Sequence, residues 1–418
     1  MGLAAAYQLA LDGYCPVVFE ADDRIGGTSA SFDFNGLKIE RFYHYYCTPD
    51  NDLLRMIDEL GLTDKLHWVE TKMSYWFDEK LQLWGNPFAL LRFKGLTLLE
   101  KTRYGLHVFL STMRNDWQSL DNKVASRWLI DWIGKGAYEK MWRTLLEYKF
   151  HEYSHEISAA WFWSRIRRMG RSRYSIFREK LGYLEGGSET LLQGMKNVIE
   201  AKGGEIRLNS SVSKVILEDG EVKGVIAAGK MEKFDQVIST IPLPVIPQII
   251  SDLSQDVLDK YRDIPYIAVI CVIVRLRKAL TNNFWLNIND DHMVIPGLVE
   301  FSNIRPLGQH IVYVPYYLPS TNPLYSWTDE QFQKQVKQYF QIINPSLQDE
   351  DFLDFHVNRY ANAQAICRPG YMSKIPPLSP GVKGLWIADT SYYYPEDRGT
   401  SESIGLGRRI ARQVSKSV

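Results

Sequence analysis

The stretch GLAAAYQLALDGYCPVVFE, residues 2–20, constrains the fold more than any other part of the chain. Gly2 leads a run of strong helix formers that stops at Gly13, and Cys15-Pro16-Val17-Val18-Phe19 is a short β-type run ending on an acid, Glu20. A glycine at a helix start lets the backbone approach a pyrophosphate, where unpaired N–H groups and the helix dipole favour negative charge. An acid about 20 residues further on, at the end of the next strand, is placed to accept hydrogen bonds from a ribose. Alone, Glu20 is equally an ordinary acid ending a strand. Together the features read as the second half of a dinucleotide-binding βαβ unit, taken up at the last glycine of G-x-G-x-x-G. The strand that opens such a unit lies centrally in a parallel sheet, so a chain without it has unpaired strand edges and an incomplete pyrophosphate cradle. The expectation is weaker dinucleotide binding and lower stability than in a version carrying that strand. A start assigned too late, at an internal methionine, is the simplest account.

At 418 residues the chain has room for two or three domains. Its 49 basic residues balance 49 acidic ones, which gives no global reason to expect a nucleic-acid partner. Cys15, Cys47, Cys271 and Cys367 lie far apart, which suits reduced, buried thiols and neither a disulfide frame nor a thiolate metal site. The opening apolar run has no basic flank, so no secretory signal is read. The longest apolar stretch, 264–274, is too short for a bilayer and reads as a buried strand, so a soluble, cytoplasmic protein is expected. A 13% aromatic content with 12 tryptophans points to a large cavity or an adhesive surface.

The predicted class is α/β, a discontinuous Rossmann-like domain lacking its first strand, with a mixed α+β substrate domain. Segments of nucleotide-fold character occupy 1–75, 185–253 and 376–418. A helical insertion spans 76–184 and a mixed sheet region 254–375. Within the nucleotide-fold segments, Arg24-Ile25-Gly26-Gly27-Thr28 supplies a second backbone turn for the same pyrophosphate, and 205–241 and 384–407 supply further strands and a glycine-spaced closing helix.

These residues (Gly2 with Glu20, Arg24 to Gly27, Val212, Thr240-Ile241-Pro242, and Ala388-Asp389 with Gly405 and Gly407) make the chain resemble the flavin-containing amine oxidase and protoporphyrinogen oxidase superfamily. That superfamily also includes phytoene-desaturase-like and UDP-galactopyranose-mutase-like enzymes. The resemblance implies an FAD-dependent oxidoreductase that dehydrogenates a C–N or C–C bond by hydride transfer. A flavin-dependent isomerase or mutase and a cofactor-free remnant of the fold are the alternatives. It further implies that Gly2, Glu20, Arg24, Gly26, Gly27 and Thr28 cradle the nucleotide, with Val212 at the adenine and Asp389 at the ribityl-phosphate end. Amides near Ser401 and Ser403 would face the cofactor. Carried over likewise, Tyr43 and His44 of ERFYHYYC lie beside the flavin, His44 as a proton shuttle. Thr28 departs from the arginine many members carry, and Tyr392-Tyr393-Tyr394 is the candidate for an aromatic cage.

Two further motifs compete for a role. His151-Glu152-Tyr153-Ser154-His155 fits H-E-x-x-H, but no third zinc ligand follows a known continuation, so it reads as coincidence and no metal is expected. Five arginines within 165–173 read as a solvated helix edge or as a phosphate-binding cluster. With the aromatic, basic stretch 91–110 upstream, they leave room for a small-molecule, lipid-linked or glycan-linked substrate and for peripheral membrane contact.

Overall fold

A computed structural model of the chain describes residues 1–175 and 177–417. The alanine-rich opening segment forms helix Gly2–Leu11, which buries Ala4, Ala5, Ala6 and Ala10 and packs on the closing helix Thr400–Ser417. Small residues allow that approach. A Cβ on Gly407 would stand 2.5 Å from the Met1 carbonyl oxygen and 3.1 Å from the Ala5 nitrogen.

The nucleotide-fold sheet is present as two parallel pieces. Val17–Phe19 pairs with Glu205–Arg207, and Val237–Ser239 pairs with Leu385–Ile387. Among the described residues neither Val17–Phe19 nor Val237–Ser239 has a strand on its other side, and residues of both line the central cavity. Segments from the beginning, middle and end of the chain therefore build one discontinuous α/β layer. Its antiparallel appendage, Val212–Glu218, Glu221–Ala227 and Lys230–Lys233, turns at Asp219-Gly220. Both turn residues have positive φ (51° and 76°), the backbone a two-residue hairpin loop requires.

The second layer is a seven-stranded mixed sheet in the order Phe352–Ala365, Tyr266–Leu276, His310–Leu318, Gly297–Glu300, Trp285–Asn289, Met73–Phe77, Lys80–Trp84. Strand Tyr266–Leu276 is apolar from 267 to 274 because both of its faces are covered there. Ile270, Val272 and Val274 pack with Phe332, Val336 and Phe340 of helix Asp329–Ile343, while Cys271 and Ile273 face Phe34 and Ile39 of the hairpin Ser31–Phe34/Leu37–Glu40. Met73–Phe77 runs parallel to Trp285–Asn289, so the sheet takes in residues on both sides of the 75/76 boundary expected from sequence. Helices Leu98–Met113, Ala125–Ile133, Thr144–Phe150 and Ala159–Arg171 follow as the helical insertion.

Candidate functional site

Between the two layers lies a cavity of about 1830 Å³. That exceeds the roughly 300–1,000 Å³ of a single small-molecule site and suits a dinucleotide together with a second ligand. Gly2, Glu20, Arg24, Gly26, Gly27, Thr28, Tyr43, His44, Val212, Asp389 and Ser403 all line it. Ser401 does not: its side chain is turned to Leu53, whose N–H donates to the Ser401 Oγ at 3.3 Å. On the closing helix it is Thr400, Ser403 and Ile404 that face the cavity, spaced i, i+3 and i+4 on one side of the helix, and Ser401, about 100° round from Thr400, falls outside that face.

At the nucleotide end, Gly26 holds φ at 112° and a Cβ there would meet Leu192 Cδ1 at 2.5 Å. Only glycine fits that turn. The Arg24 guanidinium is bidentate to Asp23 (2.6 and 2.8 Å) and donates to the Ser31 carbonyl (3.2 Å), which fixes the loop. Glu20 sits at the end of its strand, and its Oε1 accepts from the Asp22 N–H at 3.0 Å. Burial raises its pKa above the usual carboxylate value. Asp389 is buried and accepts from Leu243 N–H (2.9 Å), Ser391 N–H (2.9 Å), the Ser391 hydroxyl (2.6 Å) and the Tyr266 hydroxyl. A carboxylate has about four lone-pair sites, and here the protein occupies them all. Asp389 thus shapes the turn after strand Leu385–Ile387, with both carboxylate oxygens engaged by the protein, while the residue lines the cavity. Burial raises its pKa, and the donors oppose that shift.

At the other end, Tyr43 stacks on Tyr45 (ring centroids 6.5 Å apart) and meets Trp285 and Tyr313 edge-on. Burial holds its hydroxyl pKa well above the ordinary value. His44 Nδ1 lies 2.8 Å from the Phe42 carbonyl, and Nε2 lies 3.3 Å from the Ser29 hydroxyl. A carbonyl only accepts, so Nδ1 carries the proton and Nε2 is the free base. Burial lowers the His44 pKa and keeps the ring neutral.

The sequence reading missed Lys149, Tyr317, Asp397 and Arg398, which line the same cavity. The Lys149 ammonium position is 5.0 Å from the Trp161 ring centroid, 5.1 Å from Tyr317 and 5.5 Å from Phe150. It is 5% exposed and has no carboxylate partner among the described residues. Arg398 lies 5.3 Å from the Tyr317 centroid and donates to the Ala363 carbonyl (2.8 Å), again with no carboxylate partner among those residues. The signal was present, since Leu146, Lys149 and Phe150 occupy one face of helix Thr144–Phe150 and all are buried. A lysine on a buried stripe is a functional candidate.

Within the arginine cluster Arg171 is exposed, while Arg165 and Arg168 are drawn into ion pairs. Arg165 pairs with Asp397, and Arg168 is bidentate to Asp50 at 2.9 and 2.7 Å. These pairs tie the helical insertion to the loop before the closing helix and to the start of helix Asn51–Glu59. The H-E-x-x-H motif is not helical: Thr144–Phe150 ends before it, His151 has a φ of 48°, and 151–153 form a 3₁₀ turn. His151 Nε2 donates to the Tyr317 carbonyl at 2.6 Å, and no group of three possible metal ligands exists among the described residues. Of the three tyrosines, Tyr393 lines the cavity with its hydroxyl 2.6 Å from the Ser403 Oγ. Tyr394 instead bonds Ser158 and Asp121 in the core.

These residues fit FAD. A glycine-only turn and two helix N-termini supply backbone donors for its phosphates, an acid ends the adjoining strand, and aromatic rings wall the opposite end. Over residues 2–413 the sequence matches the family of flavin containing amine oxidoreductases. It is 25% identical over 288 residues to a 15-cis-phytoene desaturase of Solanum lycopersicum, an alignment covering 63% of this chain and 47% of that protein. The chain thus spans about half the length of the curated relatives it matches. Its fold superposes on cyclohexylamine oxidase from Brevibacterium oxydans with a TM-score of 0.71, at 12% identity, covering 99% of this chain and 96% of that one. Against a reduced UDP-galactopyranose mutase the TM-score is 0.74 at 16% identity, covering 100% and 93%. The chain belongs to the flavin-containing amine oxidoreductase family, a family of FAD-dependent enzymes.

Proposed function

We propose that this protein dehydrogenates a C–N or C–C bond of an organic substrate that carries an anionic group. One observation carries the substrate class: Lys149 and Arg398 stand on the cavity wall at Tyr317, and among the described residues neither makes a direct ion pair, Asp397 acting on both only at longer range. Bound FAD supplies the hydride acceptor, chemistry that no side chain provides. The chain's own residues orient and insulate. Lys149 and Arg398 hold the substrate's carboxylate or phosphate oxygens. Tyr43, Tyr45 and Trp285 exclude water from the reacting bond. His44 Nε2, backed by the Nδ1–H bond to Phe42, accepts a proton released there.

The test is anaerobic bleaching of the flavin-loaded protein by a panel of amines and alkenes with and without a carboxylate or phosphate. The anionic members are expected to bleach it, and Lys149→Met to raise their KM about tenfold, which is ~1.4 kcal/mol, with Lys149→Arg retaining most of the affinity. Bleaching by neutral and anionic members alike, unaffected in Lys149→Met, overturns the substrate class. Turnover only after prior chemical reduction of the flavin overturns dehydrogenation in favour of an isomerase.

A further inference from the structure

Helix Leu98–Met113 is amphipathic in the inverse sense. At about 100° per residue, Leu98, Leu99, Leu106, Phe109, Leu110 and Met113 fall within a sector about 120° wide. All six are exposed, by 40% to 72%. The opposite side, which packs inward, carries Tyr104, His107 and Ser111. The apolar surface extends beyond this helix. Leu81 and Leu83 project from the same side of strand Lys80–Trp84, and Phe88 and Leu91 from helix Pro87–Arg92. The Phe88 ring stacks on Phe177 at 5.0 Å. These elements are joined: Lys101 Nζ donates to the Leu91 carbonyl (2.7 Å) and the Lys94 N–H to Gln82 Oε1 (3.1 Å).

Contiguous exposure of this extent marks an interaction site, and the surrounding charge identifies the occupant. Lys80, Arg92, Lys94 and Lys101 border the patch, and none pairs with a carboxylate among the described residues. Glu100 is consumed by the capping box with Thr97, which leaves Asp78 and Glu79 at the hairpin tip. A second copy of the chain docked symmetrically would bring these cations onto their own equivalents. A protein partner would meet a surface whose centre is Leu, Phe and Met with almost no hydrogen-bonding group and no Tyr or Trp anchor, Arg92 lying only at its border. Leucine and phenylalanine on one helical face, with basic residues at its margins, match a helix lying in the plane of a bilayer interface.

We propose that this face, centred on helix Leu98–Met113, seats the protein on an anionic lipid surface. The inference stands apart from the reaction, since it uses no residue of the cavity. The test is co-sedimentation of the full chain with vesicles of phosphatidylcholine alone and of phosphatidylcholine with phosphatidylglycerol at three to one. The mixed vesicles are expected to retain the protein, with partitioning reduced at least tenfold for the double variant Leu106→Gln, Phe109→Gln and severalfold for Lys94→Glu, Lys101→Glu. Both positions of the first variant are exposed, so melting temperature and flavin content are expected to match the parent and exclude misfolding. Failure of the mixed vesicles to retain the parent protein overturns the proposal, as does full retention of the apolar double variant. So does a dimer in solution that Leu106→Gln, Phe109→Gln converts to monomer, which would assign the face to a second copy.

Discussion

Glu179 shows how a single side chain ties stability to pH. It is 5% exposed and, among the described residues, its Oε1 has no hydrogen-bond partner and its Oε2 is served only by the Thr71 hydroxyl at 3.3 Å. Burial raises its pKa from 4.5 to about 7. The unfolded chain therefore ionises first, and the stability held below pH 4.5 is lost as the pH rises through 7. Glu179→Gln removes that loss but leaves Arg173 without its distant partner. It is expected to stabilise the protein by about 1–3 kcal/mol at pH 8 and by little at pH 5, read as the difference between melting curves at the two values. At this scale the sequence was legible where backbone geometry restricts residue choice, as at Gly26 and Gly27, which hold positive φ. It was not legible where only helical phase or saturation decides. Ser401 is turned to Leu53, and the Asp389 carboxylate takes Leu243 and Tyr266 besides its near neighbour Ser391; the contacts to Leu53, Leu243 and Tyr266 span many residues and leave no local trace.

Among the elements, the contact between the opening and closing helices governs how the nucleotide end is assembled. Both helices reach the cavity at their N-termini, through Gly2 and Thr400. Gly407 sets their separation. Gly407→Leu drives a side chain into the Met1 and Ala5 backbone, and overpacking of that kind costs about 1–3 kcal/mol. The expected outcome is a lower midpoint in urea together with weaker FAD uptake. Unchanged uptake would show that the two N-termini do not act together. An element with a strong pattern was read correctly from sequence. The apolar run 264–274, read as a buried strand, lies almost wholly within strand Tyr266–Leu276. The strand Met73–Phe77 was divided between two regions because its membership is decided by pairing with Trp285–Asn289, more than 200 residues away.

On the scale of the whole molecule, the cavity is a seam between layers contributed by distant parts of the chain, bridged by Arg165–Asp397 and Arg168–Asp50. A ligand filling that seam stabilises every part it touches. FAD at a hundredfold excess over its Kd is expected to add about 2.7 kcal/mol, visible as a rise in melting temperature. Glu402, in the first turn of the closing helix, is pushed up to about 7 by burial. The unfolded chain ionises this group near 4.5, so stability is expected to fall as the pH rises from 5 to 7, and Glu402→Gln to flatten that dependence in melting curves. Lys149, caged by Trp161, Tyr317 and Phe150, has a pKa held well below the usual lysine value by burial and by the nearby Arg165 and Arg398, with Asp397 in partial opposition. In the empty seam burial favours the neutral form of that amine, and an incoming negative group favours the protonated one. Capture of the reactant then draws a hydrogen ion from solvent, so an alkaline medium loosens the enzyme's hold on the molecule it acts upon.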